Sequence, residues 1–225
     1  GSYAFGQMPY ASAPVSSPSN CVDGGTVITN NTCVPGTFSA SFTGASLFTN
    51  NGNSGLSVGS VWKYSNVSVI GTDVINATIT VDACYQAVLA EFDADAATDE
   101  NDNQTLQAFF APKIAPDQSL GSSNRNGYIQ FTIRFWKNGW TNPAILNGIN
   151  YSHYDIDGVH GNQGYWFRET GMVKQVSSGG IVVSANSPTE LTSYSCVTGS
   201  DHWIGFAGTT CNRNNFSRYA QVGAN

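Results

Sequence analysis

Between Tyr128 and Phe135 the side chains alternate: Ile129, Phe131, Ile133 and Phe135 fall on one side of the chain, Gln130, Thr132 and Arg134 on the other. A period of two marks a strand with one buried and one wetted face. The stretch from Val74 to Phe92 behaves alike, with Ile75, Ala77, Ile79, Val81, Ala83, Tyr85, Ala87 and Leu89 opposed by Asn76, Thr78, Thr80 and Asp82. Its length predicts one bent strand or two. A helix over residues 83–92 is the competing reading, from Ala83, Ala87 and Ala90, but the preceding alternation and the missing cap favour strand. Further strands are predicted over residues 38–42, 61–70, 107–111, 144–149, 165–168, 172–176, 181–184, 191–196 and 203–206. The turn pairs Asn51-Gly52, Asn126-Gly127, Asn138-Gly139, Asn147-Gly148, Asp157-Gly158 and Gly179-Gly180 punctuate them. Parallel sheets need crossover helices, and no amphipathic helix lies between these strands. The pattern therefore predicts an all-β chain, an antiparallel β-sandwich or jelly roll.

Residues 1–20 have a different texture. Pro9, Pro14 and Pro18 stand among Ser and Ala, with Tyr3, Phe5, Met8 and Tyr10 as the sizeable apolar groups. Proline withholds a backbone donor and breaks helix, so this segment reads as an extended N-terminal arm. Residues 21–36 form a cysteine-flanked loop, and residues 37–225 carry no linker or repeat that would divide them, so they read as one β-sandwich domain. Gly1-Ser2 is either the new terminus left by signal-peptide removal or a cloning remnant.

Composition changes the picture of the surface. Charged residues make up 11% of the 225-residue chain, against about 25% in ordinary soluble domains. Gly, Ser, Thr and Asn together supply 90 residues, so neutral polar groups cover the outside. Nine basic against fifteen acidic side chains give a net charge of −6, the wrong sign for neutralising phosphates, and nucleic acid is excluded as a partner. No apolar run approaches the roughly 20 residues of a membrane-spanning helix, so membrane insertion is not expected. Of the five cysteines, Cys21 and Cys33 flank one turn-rich stretch and Cys196 and Cys211 another, without metal-site spacing. Two local disulfides are expected, 21 with 33 and 196 with 211, leaving Cys84 as a buried thiol or a link to a neighbouring subunit. Sequons stand at Asn30, Asn66, Asn76, Asn103, Asn150 and Asn215, though a chain so rich in Asn, Ser and Thr yields roughly four by chance. Few lysines, a neutral surface and disulfides point to an extracellular or cell-surface location.

Two acidic clusters are candidate chemistry. Asp93, Asp95, Asp99, Glu100 and Asp102 crowd one loop with Asn101 and Asn103 beside them. Calcium would relieve the repulsion, since it takes six to eight oxygen ligands; the alternative is a solvated acidic loop, and the spacing is not an EF-hand. Asp155 and Asp157 project from one side of an extended segment, where calcium, Arg168 or plain solvation would compensate them. Trp140 and Trp166, with Trp136, Trp203, Tyr151, Tyr154 and Tyr165, offer either a platform for sugar rings or ordinary core aromatics. Glu91, Glu100, Glu169 and Glu190 sit in no glycosidase motif, no Gly-x-Ser-x-Gly elbow occurs, and His153, His160 and His202 lack nucleophile partners. No catalytic residue is assigned.

The runs Gly59-Ser60-Val61-Trp62-Lys63-Tyr64-Ser65-Asn66-Val67, Ile75-Asn76-Ala77-Thr78-Ile79-Thr80-Val81 and Tyr154-Asp155-Ile156-Asp157-Gly158 resemble β-sandwich modules of large secreted bacterial surface proteins, over about residues 55–170. The arm ahead of a sandwich resembles extracellular filament subunits, in which the arm of one subunit completes the sheet of the next. These resemblances imply a non-enzymatic structural or adhesive surface protein, self-associating into an oligomer or filament through Tyr3, Phe5, Met8 and Tyr10. A calcium-assisted carbohydrate-binding module that binds glycans is the alternative, and a glycosidase stands third.

Overall fold

The fold was obtained as a computed structural model. It describes residues 40–94, 109–117, 119 and 127–144, and beyond these the backbone of the strands at 6–9, 22–23, 149–154, 158–160, 166–175, 181–185, 191–198, 201–208 and 219–224. In chain order the strands are β1 (Gly6–Pro9), β2 (Val22–Asp23), β3 (Ser46–Thr49), β4 (Val61–Ile70), β5 (Asp73–Tyr85), β6 (Ala87–Glu91), β7 (Lys113–Pro116) and β8 (Gly127–Lys137). They continue with β9 (Asn142–Pro143), β10 (Ile149–Tyr154), β11 (Gly158–His160), β12 (Trp166–Gln175), β13 (Ile181–Ala185), β14 (Leu191–Thr198), β15 (Asp201–Gly208) and β16 (Tyr219–Ala224). A 3₁₀ turn at Asn53–Gly55 interrupts them, so the described residues are almost entirely strand and loop, an all-β chain, and every pairing among them is antiparallel.

The largest sheet runs β2-β14-β15-β12-β1-β8-β5-β4-β3, with β11 beside β12 and β9 beside β8. Three strands, β10-β16-β13, form a second sheet, and β6 and β7 a third. Near the middle of the large sheet β1 pairs on both sides: Gln7 stands opposite Glu169 of β12 and opposite Gly127 of β8. Pro9, which has no N–H to give a ladder, is its last residue and faces Phe167.

Strand β5 is the spine of the core. Trp62, Ile79 and Ile133 stand abreast on β4, β5 and β8, and so do Tyr64, Ala77 and Phe135. Tyr64, Ala77, Ile79 and Val81 lose all contact with solvent, as their alternation requires. Burying a side chain such as Ile79 is worth about 1.5–3 kcal/mol. The pair β6–β7 packs on this face through Ala87, Leu89 and Ile114, and Phe92 lies flat against Trp62 with ring centroids 4.5 Å apart.

Alternation persists along β5 as far as Val81, where a bulge between Val81 and Ala83 inverts it. Cys84, opposite Ile129, therefore meets the core; Tyr85 turns to the other face and stacks on Tyr128. The same-face assignment of Ala83 and Tyr85 is corrected accordingly. Gln86, at φ 49°, makes the corner that separates β5 from β6, so residues 83–92 are two strand segments and not a helix. The corner presses on the start of β8: a Cβ at Gly127 would come within 2.7 Å of the Gln86 carbonyl oxygen. Gly127 thus opens a strand where the Asn-Gly pair suggested a turn.

Other expectations are revised. Residues 40–42 and 109–111 are not strand. Phe42 instead plugs the core edge-on against Tyr64, at 5.2 Å between centroids, and Phe110 does so against Phe131 at 5.0 Å. Ala144 is not strand and Ile149 is the first residue of β10, while residues 145–148 of the strand predicted over 144–149 lie outside the described residues. The separate strands at 165–168 and 172–176 are one, β12.

Candidate functional site

Opposite the apolar face, the same three strands present a polar one. Lys63, Thr78 and Arg134 stand abreast across β4, β5 and β8, and directly opposed residues of an antiparallel sheet project to the same side. Beside them Asn76 faces Trp136, whose Nε1 donates to Thr78 Oγ1 at 2.9 Å. Further along, Thr132 Oγ1 donates to Asp82 Oδ2.

Trp140 reaches this face because its turn is anchored. Asn138, at φ 51°, bonds Val74 in both directions: its amide N donates to the Val74 carbonyl at 2.8 Å and its Oδ1 accepts from the Val74 N–H at 2.8 Å. Asn76 Nδ2 donates to the Gly139 carbonyl at 3.0 Å, fixing the residue before Trp140. Lys63 Nζ then lies 4.5 Å from the Trp140 ring centroid and 3.5 Å from that of Phe48, inside cation–π range for both. Phe48 is the residue at which β3 slips register against β4 and is 57% exposed. Among the described residues, neither Lys63 nor Arg134 meets a carboxylate. Trp140 was legible from the Asn138-Gly139 turn; Lys63, Phe48 and Arg134 were not singled out, although Lys63 and Arg134 occupy polar positions of their alternations.

Asp93 occupies a different kind of place. Its Oδ2 accepts from the buried Tyr64 hydroxyl at 2.5 Å and its Oδ1 from the Ala111 N–H at 2.9 Å. Ala94 N–H in turn donates to the Ala111 carbonyl at 3.0 Å, so Asp93, Ala94 and Ala111 close the neck of the acidic segment between β6 and β7. Asp95 and Asp99 lie outside the described residues, as do Asp155 and Asp157. Among the described residues no three of His, Cys, Asp and Glu gather as metal ligands would. Trp166 is placed by its backbone alone, opposite His160.

The sequons divide where they are described. Asn66 is exposed at a positive φ of 55° in the β4 bulge. Asn76 is only 6% exposed, its Oδ1 accepting from the Asn66 N–H at 2.9 Å and its Nδ2 donating to the Gly139 carbonyl. Asn30, Asn103 and Asn215 lie outside the described residues, and Asn150 is placed by backbone alone in β10. Cys84 is a free, half-buried thiol, and burial raises its pKa. Cys21, Cys33 and Cys211 lie outside the described residues; Cys196 is placed by its backbone in β14, opposite Trp203. Tyr3, Phe5 and Tyr10 also lie outside them, and Met8 is placed in β1 opposite Arg168. Among the described residues no helix is long and apolar enough to cross a membrane. Comparison with known proteins finds no matching family model, no matching curated protein and no matching solved structure.

Proposed function

We propose that this chain is a non-enzymatic extracellular surface subunit of β-sandwich architecture that assembles with further copies of itself by strand exchange through its N-terminal segment. The observation that carries the reading is the position of β1, which joins β12 to β8 in the interior of the large sheet. Remove it, and both neighbours expose unpaired N–H and C=O groups, a template for any extended segment in register. A second copy's β1 offers the same register.

Two features favour insertion over edge-to-edge addition. The outermost strands of the large sheet are short: β2 has two residues, and β3 has four with a register shift. Short, irregular edges discourage further pairing. Any twelve residues, the number that link β1 to β2, can reach at most about 40 Å at ~3.3 Å each, roughly twice the ~19 Å that separates the β1 slot from β2 at ~4.8 Å per strand. That slack permits β1 to leave its own slot while β2 stays docked.

Light scattering on the intact chain and on a chain lacking residues 1–20 tests the proposal. The intact chain should form oligomers in a concentration-dependent way. The truncated chain should be a folded monomer that binds a synthetic peptide of residues 1–20. A truncated chain that still polymerises, or an intact chain that stays monomeric at high concentration, would refute it.

A further inference from the structure

We propose that the polar face of β4, β5 and β8 binds an acidic saccharide, its carboxylates held by Lys63 and Arg134 and a sugar ring laid against Trp140. Unlike the assembly reading, this rests on the side chains of a sheet face and not on the strand order.

Charge complementarity identifies the occupant. The chain carries only nine basic residues against fifteen acidic ones, yet two of the basic residues share one row of this face with Thr78 between them. Two strand spacings separate them, about 10 Å. That is on the scale of a disaccharide, so the acid groups of nearby uronic residues would reach both. The Lys63 ammonium is flanked by the Phe48 and Trp140 rings, which attract a cation without neutralising it. Among the described residues no carboxylate neutralises it, nor exposed Arg134, whose planar fork suits a carboxylate.

The remaining groups suit a sugar more than a simple anion. Trp140 is half-buried and its turn is tied to β5 by the Asn138 and Asn76 bonds, so an aromatic surface is held in place before ligand arrives. Thr80 and Gln130 continue the face with neutral donors and acceptors for hydroxyl groups, at positions where side chains are half-buried, while the Thr132 hydroxyl is already given to the Asp82 carboxylate at the far end of the row. A carboxylated glycan matches both halves, charge and hydroxyls.

Intrinsic tryptophan fluorescence of the intact chain, titrated with trigalacturonate and with its fully methyl-esterified form, tests this. The acid should bind, with an affinity that falls as salt rises from about 20 to 300 mM, because exposed charge pairs are screened over that range. The neutral ester should bind at least tenfold more weakly. Lys63→Met and Arg134→Gln, each first shown to keep the wild-type urea midpoint, should each weaken the acid about tenfold and leave the ester unchanged. Equal binding of acid and ester, no binding of either at millimolar concentration, or binding of anionic phospholipid vesicles but not of the acid would overturn the proposal. Should either variant fail to fold, the salt series and the acid-to-ester ratio on the wild-type chain decide it.

Discussion

The bond between Tyr64 and Asp93 gives a direct way to separate architecture from metal binding at the acidic segment. The Tyr64 hydroxyl belongs to a side chain wholly shielded from solvent, and it donates to Asp93 Oδ2 at 2.5 Å. A hydrogen bond to a charged group contributes about 1.5–3 kcal/mol, so Tyr64→Phe should cost about that much. Asp93→Ala should cost more, about 2–4 kcal/mol, because it removes at once the carboxylate acceptor of the buried Tyr64 hydroxyl and that of the Ala111 N–H. Residues in direct contact couple, so the double variant should fall short of the sum by about 1.5 kcal/mol. Urea unfolding in the presence of chelator is the assay, since it silences any contribution from calcium. Heating gives a second measure: a 2 kcal/mol loss corresponds to about 4–8 °C in a chain of this size. If Asp93 served only as a calcium ligand, its replacement would be silent under chelation and costly only with calcium present. Additive single effects, or Tyr64→Phe within about 0.5 kcal/mol of wild type, would refute the structural role.

Gly55, at φ +86°, lies so close to its neighbours that an added Cβ would stand 2.6 Å from Leu47 Cδ1 and 2.8 Å from Trp62 Cζ2. Trp62 cannot easily yield, being stacked on Phe92 and bonded through Nε1 to the Gly55 carbonyl, so Gly55→Ala should cost about 2–4 kcal/mol in urea unfolding. Gly71→Ala, at φ +62° with open space around it, should cost only about 1 kcal/mol; equal costs would discount the contact with Trp62. Asp73 has its pKa lowered by hydrogen bonds from Lys137 and Asn138, so its contribution is complete above about pH 4 and is lost as pH falls through the lowered value. Asp73→Asn should therefore flatten the fall of the urea midpoint between pH 5 and pH 2, and an unchanged fall would show that the pair is inert.

The strands were most legible where one face is core and the other is solvent. Residues 61–70 and the alternation through Ile129, Phe131, Ile133 and Phe135 correspond to β4 and β8 because each apolar position meets β5 or its cover. Phe42 and Phe110 misled because an apolar side chain can fill a core from a loop as well as from a strand, and periodicity does not distinguish the two. The bulge after Val81 was invisible for a related reason: one extra residue inverts the faces without leaving a compositional trace. Asp93 was read with its acidic neighbours, whereas its partners Tyr64 and Ala111 are 29 and 18 residues distant and became visible only in three dimensions. The pairing of Lys63 with Phe48 and Trp140 joins three segments, so no local motif announced it.

The central position of β1 also imposes a timetable. Gln7 pairs with Glu169, so a ribosome adding about 5–20 residues per second needs on the order of 8–30 s to make the second partner after the first. Until then the segment has no finished slot of its own, and contacts so remote in sequence form slowly even afterwards. Neighbouring chains emerging from the same message pass through this interval together. The strand order thus makes the time of synthesis, as much as the strength of its contacts, a determinant of when β1 reaches its slot.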